Sequence, residues 1–152
     1  MEVRYTTVVD KDVSYDSKQF AQEVEAYLSD PDGWVSRGYT FVRSRNPEVV
    51  IHLSTPMYLG KNECKDDELS CAEMNGRNMY LNADRWLKGA SKSKLQLKDY
   101  RQYMVSHEMG HILGYDHVSC PGNGNPAPIM LQQTKGIGKC KPNTKLTDID
   151  RK

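Results

Sequence analysis

The 152-residue chain has no apolar stretch approaching the roughly 20 residues that a membrane-spanning helix needs. It has no excess of one charge either, because 21 lysines and arginines face 20 aspartates and glutamates, a net charge of +1. That balance gives no strong attraction to nucleic acids or to membrane surfaces. Internal repeats and low-complexity linkers are also missing. We therefore expect one domain over residues 1–152, a monomer that binds neither nucleic acid nor membrane.

Cysteine is scarce, and none of the spacings between its four residues matches the C-x2-C pairs of a structural zinc site. The residues are Cys64, Cys71, Cys120 and Cys140, all in turn-rich stretches. Three pairings are possible, and Cys64–Cys71 with Cys120–Cys140 is favoured because each pair flanks one continuous loop. The alternative is four reduced thiols in a cytosolic protein. Disulfides form in oxidising compartments, so the favoured pairing predicts an extracellular protein. The first ten residues lack the apolar segment of a secretion signal, and this location rests on the cysteines alone.

The spacing of apolar residues predicts the secondary structure. β-branched residues over 3–9 indicate a first strand. Phe20, Val24 and Leu28 recur at the interval of an amphipathic helix, which is predicted over 17–28. Further strands are predicted over 39–43, 48–54 and 78–82, and a second long helix over about 93–113. The chain after that helix is predicted to be mostly loop, so the class is α+β or mixed α/β.

The most informative segment is HEMGHILGYDH, which begins at His107. On the predicted helix, His107 and His111 are offset by roughly 40° and lie about 6 Å apart along the axis. Both imidazoles can therefore reach one ion, and neutral histidine nitrogens are ligands that zinc prefers. Glu108 stands beside the first histidine, where it can accept a proton from a zinc-bound water. Gly114 permits the sharp turn that brings His117 back as a third ligand and leaves the fourth position for water or substrate.

The spacing H-E-x-x-H-x-x-G-x-x-H resembles that of the metzincin clan of zinc metallopeptidases. Segments over nearly the whole chain also resemble an uncharacterised bacterial family of secreted metzincin-like domains. The resemblance implies an α+β fold with a twisted mixed sheet of about four to five strands, two main helices including the active-site helix, and a loop-rich, disulfide-stapled C-terminal part. It implies a methionine turn in which Met130 packs beneath the imidazoles without binding the metal. Gln132 stands where some members have a tyrosine that assists the oxyanion, so that role is not carried over.

The resemblance also implies a function. The chain would be a secreted zinc endopeptidase with one Zn²⁺, using Glu108 to activate the zinc-bound water. A peptide or protein substrate would pair with an edge strand near 78–82. Tyr100 and Tyr103 share the helix face of the histidines and are assigned to the core.

Two alternatives stay open. One is a zinc hydrolase of narrow specificity, acting on cell-wall peptides or on itself. The other is a non-catalytic binding domain that keeps zinc for stability. Glu108 argues against the latter, because a structural site has no need of a carboxylate beside the water position. A closed structural site would also need a fourth protein ligand, and the remaining histidine, His52, lies in a predicted strand.

Overall fold

A five-stranded sheet organises the structure, a computed structural model that describes residues 1–151. The strands are, in chain order, β1 (Glu2–Val9), β2 (Thr40–Arg43), β3 (Val49–Ser54), β4 (Cys71–Ala72) and β5 (Asn78–Asn82). They lie in the order β2-β1-β3-β5-β4. The pairings among β1, β2, β3 and β5 are parallel, whereas β4 runs antiparallel to β5. The prediction of a mixed sheet is confirmed.

The helices are α1 (Ser17–Leu28), α2 (Pro56–Tyr58), α3 (Ala83–Lys88) and α4 (Leu97–Ile112). Shorter helical turns cover Trp34–Arg37, Leu59–Glu63, Ser91–Ser93 and Gln133–Lys135. The predicted first helix is confirmed, with the Asp16 side chain accepting the Gln19 amide at 2.9 Å as its N-cap. The second long helix begins later than predicted. Lys94 has a φ of 61°, and this left-handed residue interrupts the helical path before Leu97.

The core lies between the sheet and the two long helices. Ile51, Leu53 and Leu81 of the central strands are fully buried, as is Phe20 of α1. Because α4 also contacts β4 and β5, the outer part of the sheet lies beside the helix that carries the histidines. Within residues 1–151, no helix is long and apolar enough to span a membrane.

The strand predicted at 78–82 is present as β5, but the prediction that it forms the sheet edge is wrong. Cys71 and Ala72 pair antiparallel with Tyr80 and Met79 on its outer side. The intervening turn is tight, because the Glu73 carboxylate accepts the amides of Arg77 and Asn78 at 3.0 and 2.6 Å. A two-residue strand has too little periodicity to be visible in a sequence. The edge beside the candidate site is therefore β4.

Both favoured disulfides are present in the structure. The S–S distances are 2.09 Å for Cys64–Cys71 and 2.04 Å for Cys120–Cys140. The first bridge ties the segment preceding β4 to β4 itself. The second closes a loop in the C-terminal part, which is irregular apart from Gln133–Lys135 within the described residues. No free cysteine remains among residues 1–151.

Candidate metal centre

Three imidazoles meet at the C-terminal end of α4. His107 and His111 lie on that helix, His117 lies in the loop that follows, and their possible ligand atoms are all within 4.8 Å of one another. The Nε2 atoms of His111 and His117 are 3.1 Å apart. Two nitrogens bound at 2.0–2.1 Å to one tetrahedral zinc ion would be about 3.4 Å apart. The triad therefore has the spacing and the donor type that zinc requires.

Backbone carbonyls set which nitrogen of His107 and of His111 is available to a metal. His107 Nδ1 is 2.7 Å from the Ile129 carbonyl oxygen, and His111 Nδ1 is 2.8 Å from the Tyr115 carbonyl oxygen. A carbonyl oxygen only accepts, so each Nδ1 must carry the proton and donate it. The lone pair of each neutral ring is consequently on Nε2, which is the nitrogen available to a metal.

Gly114 makes the turn that returns the chain toward His107 and His111. Its φ is 97°, a conformation that side chains rarely adopt. Its amide donates to the His111 carbonyl at 2.9 Å, which closes the last helical turn. A Cβ at this position would also collide with the Asn75 side-chain oxygen. The positive φ favours glycine here, and a larger residue would also displace the Asn75 side chain. The chain reaches His117 three residues later.

Glu108 lies on α4 beside the histidines and borders the same cavity, which has a volume of about 320 Å³. Only 6% of its surface is exposed. This burial raises the pKa of its carboxyl to about 8 in the absence of a cation. Burial also lowers the pKa of His107 to about 3 and lowers the pKa values of His111 and His117. The three imidazoles are therefore neutral near pH 7 and need lose no proton to bind a metal.

The raised pKa predicts how the metal-free protein responds to pH. The pKa of the Glu108 carboxyl is about 4.5 in the unfolded chain and about 8 in the folded protein. A group whose pKa is raised by folding contributes stability that is fully present below pH 4.5. That contribution is lost as the pH rises through about 8. Metal-free Glu108→Gln should therefore be roughly 3–5 kcal/mol more stable than the metal-free native protein at pH 8. The two should be equally stable at pH 4. Urea unfolding of chelator-treated protein at both pH values measures this, and equal stability at pH 8 would contradict it.

Met130 is fully buried and packs against α4 at Gly110. A Cβ on Gly110 would collide with the Met130 sulfur and would lie 2.8 Å from Trp34 Cζ2. Trp34 is itself fixed, because its Nε1 donates to the Ser106 carbonyl oxygen at 2.7 Å. Glycine thus lets Met130 and Trp34 approach the helix between His107 and His111.

Gly110→Ala should destabilise the protein by about 1–3 kcal/mol through overpacking. Zinc affinity should fall as well, since Met130 can avoid the added methyl group only by displacing the turn that holds His107. Ser106→Ala, on the same buried helix, should change both quantities much less. Thermal unfolding and competition with a zinc chelator measure the two effects. A Gly110→Ala protein with unchanged stability would contradict the packing argument.

Asp150 was missed by the sequence reasoning, although it is fully buried and holds the methionine turn. Its carboxylate accepts the amides of Ile129 and Met130 at 2.9 and 2.7 Å. It also accepts the amide of Thr147 at 3.0 Å. Since the Ile129 carbonyl orients His107, Asp150 acts on the metal centre through one peptide unit. Its polar C-terminal surroundings, TDID, contain no signal of this role.

Tyr100 and Tyr103 are buried as predicted, yet both border the cavity as well. The Tyr103 hydroxyl donates to the Leu131 carbonyl at 3.0 Å and accepts the Gln133 amide at 2.9 Å. It therefore ties α4 to the segment after the methionine turn. Gln132 also borders the cavity. It stands at the position where some metzincins have a tyrosine that assists the oxyanion.

The fold is similar to that of known metzincins at low sequence identity. Archaemetzincin from Methanopyrus kandleri superposes with a TM-score of 0.54 at 13% identity, covering 93% of this chain and 88% of that one. For archaemetzincin from Archaeoglobus fulgidus, complexed with malonate, the TM-score is 0.49 at 17% identity, with 93% and 96% covered. For myroilysin the TM-score is 0.47 at 14% identity and 82% of this chain is covered, but the chain spans only 54% of myroilysin. The superposition on the Methanopyrus kandleri protein confirms the expectation of a metzincin-like fold.

Sequence comparison with curated proteins finds no match. By contrast, one family matches nearly the whole chain, over residues 2–151. The chain therefore belongs to the family described as "Protein of unknown function (DUF3152)".

Proposed function

We propose that the chain is a secreted zinc endopeptidase of the metzincin clan, a single catalytic domain over residues 1–152 that acts as a monomer. One observation carries the proposal: a triad of histidine nitrogens and a buried carboxyl border one open cavity. His107, His111 and His117 would hold one Zn²⁺ per chain. Three protein ligands would leave a fourth position for water or substrate, which is the arrangement of a catalytic rather than a structural zinc site.

In this proposal Glu108 is the group that moves the proton. Bound zinc supplies Lewis-acid polarisation of the scissile carbonyl and makes water more acidic. A cation held by the histidines also favours the ionised form of Glu108, which burial alone disfavours. The ionised carboxylate takes the proton of the attacking water and then gives it to the leaving amine. Its low exposure keeps bulk water from competing for that proton.

The substrate is proposed to pair with β4 rather than with β5. Ser70, Cys71 and Ala72 border the cavity, and the outer side of β4 is the sheet edge. An extended peptide could add there as a further strand, bound through backbone groups. Because β4 has only two residues, few such bonds can form. This shortness favours the second candidate, a zinc hydrolase of narrow specificity that binds a short peptide segment.

Secretion is supported by the two disulfides, since such bonds persist in oxidising compartments. The Cys64–Cys71 bridge borders the site, because both residues line the cavity. In a reducing compartment, loss of this bridge would free the segment before β4 from the strand proposed to bind substrate.

The proposal is tested by offering the zinc-loaded protein a diverse peptide mixture and reading cleavage by mass spectrometry. We expect cleavage that stops on chelation and returns with one equivalent of zinc. A narrow set of cleaved peptides would favour the second candidate. Zinc bound at one per chain with no cleavage of any peptide would instead indicate the non-catalytic binding domain.

A further inference from the structure

Gln132 borders the cavity from the middle of a tight turn. Its φ and ψ are −73° and 75°, and the amide of Gln133 donates to the carbonyl oxygen of Leu131 at 2.8 Å. These values define an inverse γ-turn, in which one hydrogen bond closes the chain around its middle residue. The Gln132 carbonyl oxygen accepts the Lys135 amide at 3.1 Å. The turn therefore fixes the backbone from which the Gln132 side chain extends.

The residues on either side of Gln132 are held in place as well. The Tyr103 hydroxyl donates to the Leu131 carbonyl oxygen at 3.0 Å and accepts the Gln133 amide at 2.9 Å. The Gln133 side chain is fully buried, and its Nε2 donates to the Pro128 carbonyl oxygen at 3.0 Å. Because both neighbours are fixed, a ligand that binds to Gln132 has little backbone to order.

The Gln132 carboxamide has no protein partner. Within residues 1–151 it makes no hydrogen bond, although the residue is partly buried. The other neutral polar side chains of the cavity lining are engaged. Ser70 accepts a backbone amide at 2.9 Å, and the Tyr100 and Thr134 hydroxyl oxygens are 2.6 Å apart. Tyr103 makes the two hydrogen bonds given above. In the lining, the unused hydrogen-bonding capacity of a whole side chain is thus at Gln132.

A carboxamide matches the groups of an extended peptide. It presents an N–H donor and a carbonyl acceptor side by side. In an extended strand, the N–H and C=O of one residue point to the same edge, and the next residue presents its groups to the opposite edge. A peptide paired with β4 along one edge would therefore turn the groups of alternate residues away from β4. One glutamine side chain can bind both groups of such a residue.

We propose that Gln132 is a substrate-binding residue. Its carboxamide pairs with the backbone N–H and C=O of one substrate residue, on the edge of the peptide turned away from β4. The proposal rests on the peptidase function above and specifies how the substrate is held. A second backbone contact compensates for the two-residue length of β4, which can form few hydrogen bonds of its own. Both contacts are to backbone groups, so neither selects a particular substrate side chain.

The test uses two substitutions of Gln132 and a matched control. Gln132→Met keeps the length of the side chain and removes its hydrogen bonds, and Gln132→Glu keeps the shape and removes the donor. The control is Gln22→Met, because Gln22 is exposed on α1 and does not line the cavity. Each zinc-loaded protein is assayed for kcat, KM and Tm. Binding of fluorescent peptides is measured in the same variants carrying Glu108→Gln.

Loss of a pair of neutral hydrogen bonds should raise KM and Kd about 5- to 50-fold in Gln132→Met. The change in kcat should stay below about threefold, because the contact is equally strong in the ground state and the transition state. Gln132→Glu should lose at least as much affinity, and Gln22→Met should match the native protein. An unchanged Kd in either folded Gln132 variant would overturn the proposal. A fall in kcat at constant KM would overturn it too, since it would indicate a contact made only in the transition state.

Substrate analogues locate the contact. An ester bond replaces one peptide bond at a time, other than the cleaved bond, and removes one N–H. At one position this should weaken binding to the Glu108→Gln protein and have a much smaller effect once Gln132→Met is added, as for two groups in direct contact. Equal losses in both proteins at every position would overturn the proposal. Gln132-dependent peptide binding without cleavage would remove the peptidase function and leave this contact standing, whereas absence of binding to any peptide would overturn both.

Discussion

Replacing Glu108 with alanine is expected to lower kcat at least about 100-fold while the zinc content stays near one per chain. General acid–base catalysis by a positioned side chain contributes about 10²–10⁴-fold, and the rest of the site is left in place. The carboxyl is not a ligand in the histidine triad, so its removal does not take a bond from the metal. Metal content by elemental analysis and initial rates on a peptide cleaved by the native protein measure the two quantities.

Glu2→Ala is a suitable control, because it removes an exposed carboxylate at the start of β1. It should leave both rate and zinc content unchanged. Native-like turnover by zinc-loaded Glu108→Ala would show that the carboxyl is not the base. Loss of zinc together with activity would show instead that the carboxyl supports the metal site.

Asp150→Ala is expected to destabilise the protein by about 2–5 kcal/mol and to weaken zinc binding about 10–100-fold. The substitution leaves the buried amides of Ile129 and Met130 without their acceptor. It also loosens the Ile129 carbonyl that orients His107. For a domain of this size, each kcal/mol lowers Tm by roughly 2–4 °C. Thermal unfolding and chelator competition measure the two effects.

Asp150→Asn retains one acceptor oxygen and should recover part of the stability, which separates the hydrogen bonds from the overall packing. Asp148→Ala removes an exposed carboxylate two residues away and should change neither quantity. If the Tm and the zinc affinity of Asp150→Ala equal those of the native protein, the methionine turn does not depend on this residue.

The helices and longer strands were predictable because their signals are local. The α1 helix has its cap at Asp16 and its buried positions at Phe20, Val24 and Leu28, all within thirteen residues. The strands β1, β2, β3 and β5 were located to within about one residue, since β-branched and apolar runs mark buried strands. The start of α4 was misplaced, because a left-handed lysine at position 94 has no signature in composition.

The edge of the sheet could not be predicted for a different reason. Strand order depends on contacts between residues distant in the chain, and the two residues of β4 form a strand only because the Cys64–Cys71 bridge and the Glu73 turn hold them against β5. Without those contacts, 78–82 is the last regular strand and is taken as the edge. The proposed substrate position moves to β4 for that reason alone.

The histidine spacing and the glycine after α4 were determined by the sequence by itself, because both are consequences of helical geometry within eleven residues. Only the tertiary structure decided which nitrogen of His107 and of His111 is available to a metal, since the carbonyls of Ile129 and Tyr115 make that choice. It also decided that Asp150, more than thirty residues beyond His117, holds the methionine turn. The reason is physical: a buried carboxylate must find its donors wherever packing places them, and no local pattern records that partner.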